Sequence, residues 1–103
     1  MKTFSETLAG LEPSDHLQSI ELLDQDGHVV GKIENKPGSQ GSVKVYQHLL
    51  QKFGHLDTTA AQYGLELYAE HTADAEANPG KHPNIDRLLD IITNNATLQL
   101  RAI

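Results

Sequence analysis

Apolar positions open the chain at helical spacing: Phe4, Leu8 and Leu11 recur at i, i+4 and i+7 behind Thr3-Phe4-Ser5-Glu6. That tetrapeptide is a capping box, with Thr3 as the N-cap and Glu6 reaching back to it, and it predicts a short amphipathic helix ending near Gly10. A loop follows at Glu12-Pro13-Ser14-Asp15. Residues 17–34 then read as a β-hairpin closed by Asp26-Gly27, a type I′ pair that tolerates positive φ at both positions. A two-residue loop sets Gln25 opposite His28, and counting outward sets Leu23 against Val30, Glu21 against Lys32 and Ile20 against Ile33. The last three pairs match apolar with apolar, acid with base, and apolar with apolar, worth roughly 0.2–1 kcal/mol each. Sliding the strands by two places sets Glu21 against Val30 and Ile20 against Gly31, a poorer match.

Helical spacing returns after the loop Asn35-Lys36-Pro37-Gly38-Ser39-Gln40-Gly41-Ser42, in Val43, Tyr46, Leu49, Leu50 and Phe53, and Gly54 stops it. Asp57 caps a helix predicted to run to about Ala77 with Ala61, Leu65 and Tyr68 inward. Gly64 in its middle costs about 1 kcal/mol relative to Ala and marks a place for a break. The second loop is Asn78-Pro79-Gly80-Lys81-His82-Pro83, after which Asn84 caps a final helix carrying Ile85, Leu88, Leu89 and Ile92. From Thr97 to Ile103 the pattern alternates, with Leu98, Leu100 and Ala102 on one side, as in a half-buried strand. An isolated hairpin is marginal, so this strand is expected to complete its sheet. The order is αββαααβ: an α+β fold with an antiparallel sheet of about three strands and helices packed on one face.

Composition narrows the class. Of 103 residues, 26 are Leu, Ile, Val or Phe, above the roughly 20% below which chains stay disordered, so one packed domain over 1–103 is expected. The absence of cysteine removes disulfide scaffolds, thiolate metal sites and a Cys nucleophile, and fits a cytoplasmic protein. The opening Met1-Lys2-Thr3-Phe4-Ser5-Glu6 turns acidic at once, where a signal peptide needs an apolar run of about 7–15 residues. No stretch approaches the roughly 20 apolar residues of a membrane span. A net charge of −6 and only five aromatic residues argue against nucleic acid as a partner. The charge is segregated: residues 1–35 carry net −5, 36–55 net +3 without an acid, 56–78 net −5 and 79–103 net +1.

The hairpin, then Ile33-Glu34-Asn35-Lys36-Pro37-Gly38, then Asn78-Pro79-Gly80-Lys81-His82-Pro83-Asn84-Ile85-Asp86-Arg87, with Leu100-Arg101-Ala102-Ile103 at the end, resembles a family of small bacterial proteins catalogued only as a domain of unknown function. The two Pro-Gly loops are the most specific parts of the resemblance. It implies a stand-alone bacterial domain and brings no activity, cofactor or catalytic residue with it.

Chemistry concentrates in those loops. The helix after the first begins Ser42-Val43-Lys44-Val45 with no carboxylate to offset its amino-end dipole, and Lys36 and Lys44 add positive charge. Free N–H groups, the glycines Gly38 and Gly41, Ser39 and Ser42, and nearby lysines are the ingredients of an anion site. The spacing matches neither G-x-x-x-x-G-K-[ST] nor G-x-G-x-x-G, and the same residues also serve a plain turn and cap. In the second loop Lys81, His82 and Arg87 can flank a phosphate or carboxylate, against Asp86 in the first helical turn. Glu66, Glu70 and Asp74 form an acidic stripe at i, i+4 and i+8, facing water or the basic 36–55 segment. Glu70, His71 and Asp74 lack the paired-His spacing of a specific metal site, so neither a metal nor a cofactor is expected. Gly38-Ser39-Gln40-Gly41-Ser42 is not a G-x-S-x-G elbow.

Two function classes follow. The favoured one is a binding or interaction module for a small anion or a protein partner, with Lys36, Gly38, Ser39, Gly41, Ser42, Lys44, Lys81, His82 and Arg87 as ligand-binding residues. The other is a small enzyme using His82 with the loop residues. Whether the two loops adjoin in space bears on both.

Overall fold

The computed structural model describes residues 2–103. In chain order it contains α1 (Phe4–Ala9), β1 (Ser19–Leu23), β2 (Val29–Glu34), α2 (Gln40–Phe53), α3 (Thr58–Tyr68), α4 (Glu70–Ala77), α5 (Pro83–Asn94) and β3 (Gln99–Ala102). The capping box is formed, with Thr3 Oγ1 accepting from the Glu6 N–H and the Glu6 carboxylate accepting from the Thr3 N–H. Gly54 stops α2 with φ of 78°, and Asp57 caps α3 by accepting from the Ala60 N–H.

The three strands form an antiparallel sheet in the order β2-β1-β3. Glu21 stands opposite Lys32 and Ile20 opposite Ile33, the register that the matched pairs predict. On its other side Glu21 faces Arg101, whose guanidinium donates to it through Nε and Nη2. The turn differs from expectation. Leu23 pairs with Val29 rather than Val30, and only Gly27 takes a positive φ, so the turn is not type I′. Asp24 is the cause: its Oδ1 accepts from the N–H groups of Asp26 and His28, and its N–H bonds the His28 carbonyl across a three-residue loop. That loop moves the register by one, and the irregularity between Leu22 and Leu23, which leaves Val30 as the extra residue, moves it back.

Ile20, Leu22, Ile33 and Leu100 of the sheet share the core with Val43, Tyr46 and Leu49 of α2, and Ile85, Leu88 and Ile91 of α5 close it. The long helix expected over 57–77 is two helices, and the break is not at Gly64. A Cβ at Gly64 would lie 2.8 Å from Leu88 Cδ1 and 3.1 Å from Leu49 Cδ1, so this glycine lets α3 approach α5 and α2. The chain turns instead at Ala69, with φ 52° and ψ −119°. The turn splits the acidic stripe, leaving Glu66 on α3 and Glu70 and Asp74 on α4. The start of α5 is also two residues earlier than expected: Pro83 is its first residue and His82, not Asn84, its N-cap. Among the described residues no helix is long and apolar enough to cross a membrane.

Candidate functional site

The two Pro-Gly loops adjoin. Tyr46 Oη in α2 donates to the Asn84 carbonyl at 2.5 Å, which ties the second loop to the helix that follows the first. Tyr68 Oη at the end of α3 donates to Ser42 Oγ at 2.8 Å. Because α2 starts at Gln40, inside the stretch expected as loop, the cleft of about 270 Å³ between them is lined by Gly38 of the first loop, Gly41 and Ser42 of α2, Lys81 and His82 of the second loop, Pro83, Asn84 and Ile85 of α5, and Phe4, Tyr68 and His71. Burial pushes the Tyr46 hydroxyl up to about 12 and the Tyr68 hydroxyl well above its ordinary range, so both stay protonated donors at neutral pH.

Two helices begin at this cleft. At α2, Ser39 occupies the N-cap position but does not cap: its hydroxyl donates to the Glu34 and Lys36 carbonyls. The first turn of α2 holds no acid, and the N–H groups of Gly41 and Ser42 find no acceptor among the described residues. At α5 the N-cap His82 makes no side-chain cap, and the Asn84 N–H is likewise unpaired among the described residues. Asp86 sits in that first turn, but its Oδ2 accepts from the Gly80 N–H and so holds the loop.

Asp74 organises the cationic rim. Its Oδ2 lies 2.6 Å from His82 Nε2 and 3.0 Å from Lys81 Nζ, and its Oδ1 accepts from Asn78 Nδ2 at 3.0 Å. The hydrogen bonds from His82 and Lys81 hold its carboxyl down at about 2. Glu70, the other acid of the stripe on α4, accepts from the Phe4 N–H at 2.8 Å and anchors α1. Among the described residues neither is paired with a lysine of the 36–55 segment.

Of the residues expected to bind a ligand, Gly38, Gly41, Ser42, Lys81 and His82 meet in the cleft. Lys36 and Ser39 line a neighbouring hollow with Lys32, Ile33, Glu34 and Asn84, where Lys36 pairs with Glu34 at 3.1 Å. Arg87 is engaged elsewhere, donating to Asn84 Oδ1 at 2.9 Å and lying over the Tyr46 ring, and Lys44 lines neither hollow. Phe4, Tyr68, His71 and Asp74 join the site without having been singled out as ligand-binding. Tyr68 carries a signal only as a core position, and nothing in the spacing places Asp74 on His82. The one grouping of metal-type side chains among the described residues, Asp24, Asp26 and His28, lies at the hairpin turn and away from the cleft.

Fold and site together define a small α+β domain whose polar cleft is built by two adjoining Pro-Gly loops. The chain belongs to a bacterial family described as an uncharacterized protein conserved in bacteria, DUF2322, whose model matches residues 4–102. No curated protein and no solved structure matches it.

Proposed function

We propose that the cleft binds a small anionic ligand. The observation that carries this reading is the convergence of two helix amino ends on one space: Gly41 and Ser42 on α2 and Asn84 on α5, whose N–H groups are unpaired among the described residues, line the same cleft. Each end concentrates partial positive charge and outward-pointing donors, and neither is offset by a side-chain cap. The Ser42 hydroxyl, fixed by Tyr68, adds a further donor, and Lys81 with His82 supplies a basic rim.

Titration of inorganic phosphate into labelled protein at low ionic strength tests the reading. Selective amide shifts at Gly41, Ser42 and Asn84, weakening as salt is added, are expected. Uniform small shifts over the surface, or none at these three residues, would show that the loops are turns and caps only.

A second reading, a small enzyme using His82, has one observation in its favour. His82 is held by Asp74 at 2.6 Å in the cleft that also presents the Ser42 hydroxyl, an arrangement in which a carboxylate orients an imidazole as general base. Release of phenol from phenyl phosphate, abolished in His82→Ala, would favour it. Phenyl phosphate that is bound but not consumed would favour binding alone.

A further inference from the structure

The cleft is larger than a simple oxyanion, and four of its lining residues carry rings. At about 270 Å³ it has room for roughly nine waters at about 30 Å³ each, so a tetrahedral anion seated on the helix ends leaves much of it unfilled. Beside the donors runs a line of rings. Phe4 stacks on Tyr68 with centroids 5.2 Å apart, His71 meets Phe4 edge-on at 5.1 Å, and His82 lies 5.6 Å from His71. All four line the cleft, with Pro83 and Ile85 beside them.

Phe4 packs on the edge of the core, against Tyr68 and Gly41. It belongs to a six-residue helix with no buried residue, and its half-buried ring reaches the cleft because its N–H is held by Glu70. The His71 side chain is 40% exposed, so its ring has a surface open to a ligand. A site with N–H donors and a line of rings side by side, the Phe4 ring lying against Gly41, distinguishes ligands by what is attached to the acid.

Resting on the anion reading above, we propose that the ligand carries a planar aromatic group next to its acid, in the chemical class of an aryl phosphate. The acid sits on the Gly41, Ser42 and Asn84 N–H groups, and the ring lies against Phe4 and His71. Ring–ring contacts at centroid separations of about 4.5–7 Å correspond to roughly a tenfold gain in affinity.

The test compares phenyl phosphate with methyl phosphate, which carries the same charge without the ring, by calorimetric titration at low ionic strength and by chemical shifts. The expected result is about tenfold tighter binding of phenyl phosphate, with its ring shifting the Phe4 and His71 ring resonances and both compounds shifting the Gly41, Ser42 and Asn84 amides. Equal affinities with those amide shifts retained overturn the aromatic inference and leave the anion site standing. No selective amide shift with either compound overturns both. Phe4→Leu and His71→Ala, the latter a change at a partly exposed position, should each reduce the preference for phenyl over methyl phosphate. A preference unchanged in both variants overturns the assignment of the ring to Phe4 and His71.

Discussion

His82 Nε2 and Asp74 Oδ2 lie 2.6 Å apart, and Lys81 Nζ reaches the same oxygen at 3.0 Å. The second loop thus brings two basic side chains onto one carboxylate of α4. Asp74 provides from within the chain part of the negative charge that an outside anion would bring, and it competes with that anion for Lys81 and His82.

Replacing Asp74 with Asn should therefore tighten phosphate binding several-fold, read by amide-shift titration at low salt. The same change alters the acid limb of stability. The Asp74 carboxyl is lowered from 3.8 to about 2 by its bonds to His82 and Lys81, so its contribution is present above about pH 3.8 and is lost as pH falls through about 2. Urea midpoints measured down that range should fall less steeply for Asp74→Asn than for the parent. Parallel curves would mean the pair is not formed in solution.

The opposite limb belongs to Tyr46. Burial raises its hydroxyl from 10.0 to about 12, overcoming the opposing influence of Arg87, so its neutral form is the one the fold favours. That contribution is complete below about pH 10 and is lost as pH rises through about 12, a fall of about 3 kcal/mol across the window. Tyr46→Phe should flatten this limb while losing about 1–3 kcal/mol at neutral pH, because the Asn84 carbonyl loses its donor. Unfolding followed at pH 7 and then in alkaline steps checks both parts.

Ala69 is strained where it stands. Its φ of 52° and ψ of −119° lie in a region that a Cβ disfavours, at a cost of about 1–3 kcal/mol. Ala69→Gly should therefore stabilise the protein by about 1 kcal/mol after the entropy that glycine adds to the unfolded chain, while Ala69→Val should destabilise it. A rise and a fall in urea midpoint, respectively, are the expected readings. A fall for Gly would mean that α3 and α4 join differently.

Gln40 offers a test in which stability and binding move in opposite directions. It is exposed and opens α2, whose first turn has no acid. Gln40→Glu should stabilise the helix by about 0.3–1 kcal/mol through the amino-end dipole and at the same time weaken phosphate binding. Raised stability with unchanged phosphate shifts would place the anion elsewhere.

Features legible in the sequence are those in which cause and effect lie within a turn or across a hairpin. Thr3 and Glu6 are three residues apart, Asp57 caps the helix that follows it directly, and the Glu21–Lys32 register follows from the local matching of side chains. The hairpin turn was only half legible. Asp26-Gly27 marks the place, but the carboxylate of Asp24, which chose a three-residue loop, is one of several acids with equal claim in the sequence.

The break between α3 and α4 shows why propensity misleads where packing is tight. Gly64 looks like a helix weakness because its missing side chain costs local stability, yet Leu88 and Leu49 require that absence, and periodicity along one helix contains no information about its neighbour. The cleft is a larger case of the same kind. Each Pro-Gly loop announces itself by composition, but their meeting depends on Tyr46 reaching Asn84 and Tyr68 reaching Ser42, and the rim on Asp74 reaching His82. Those contacts join residues that the helical period places on separate elements, and only the close packing of α2, α3, α4 and α5 brings their polar ends to one point.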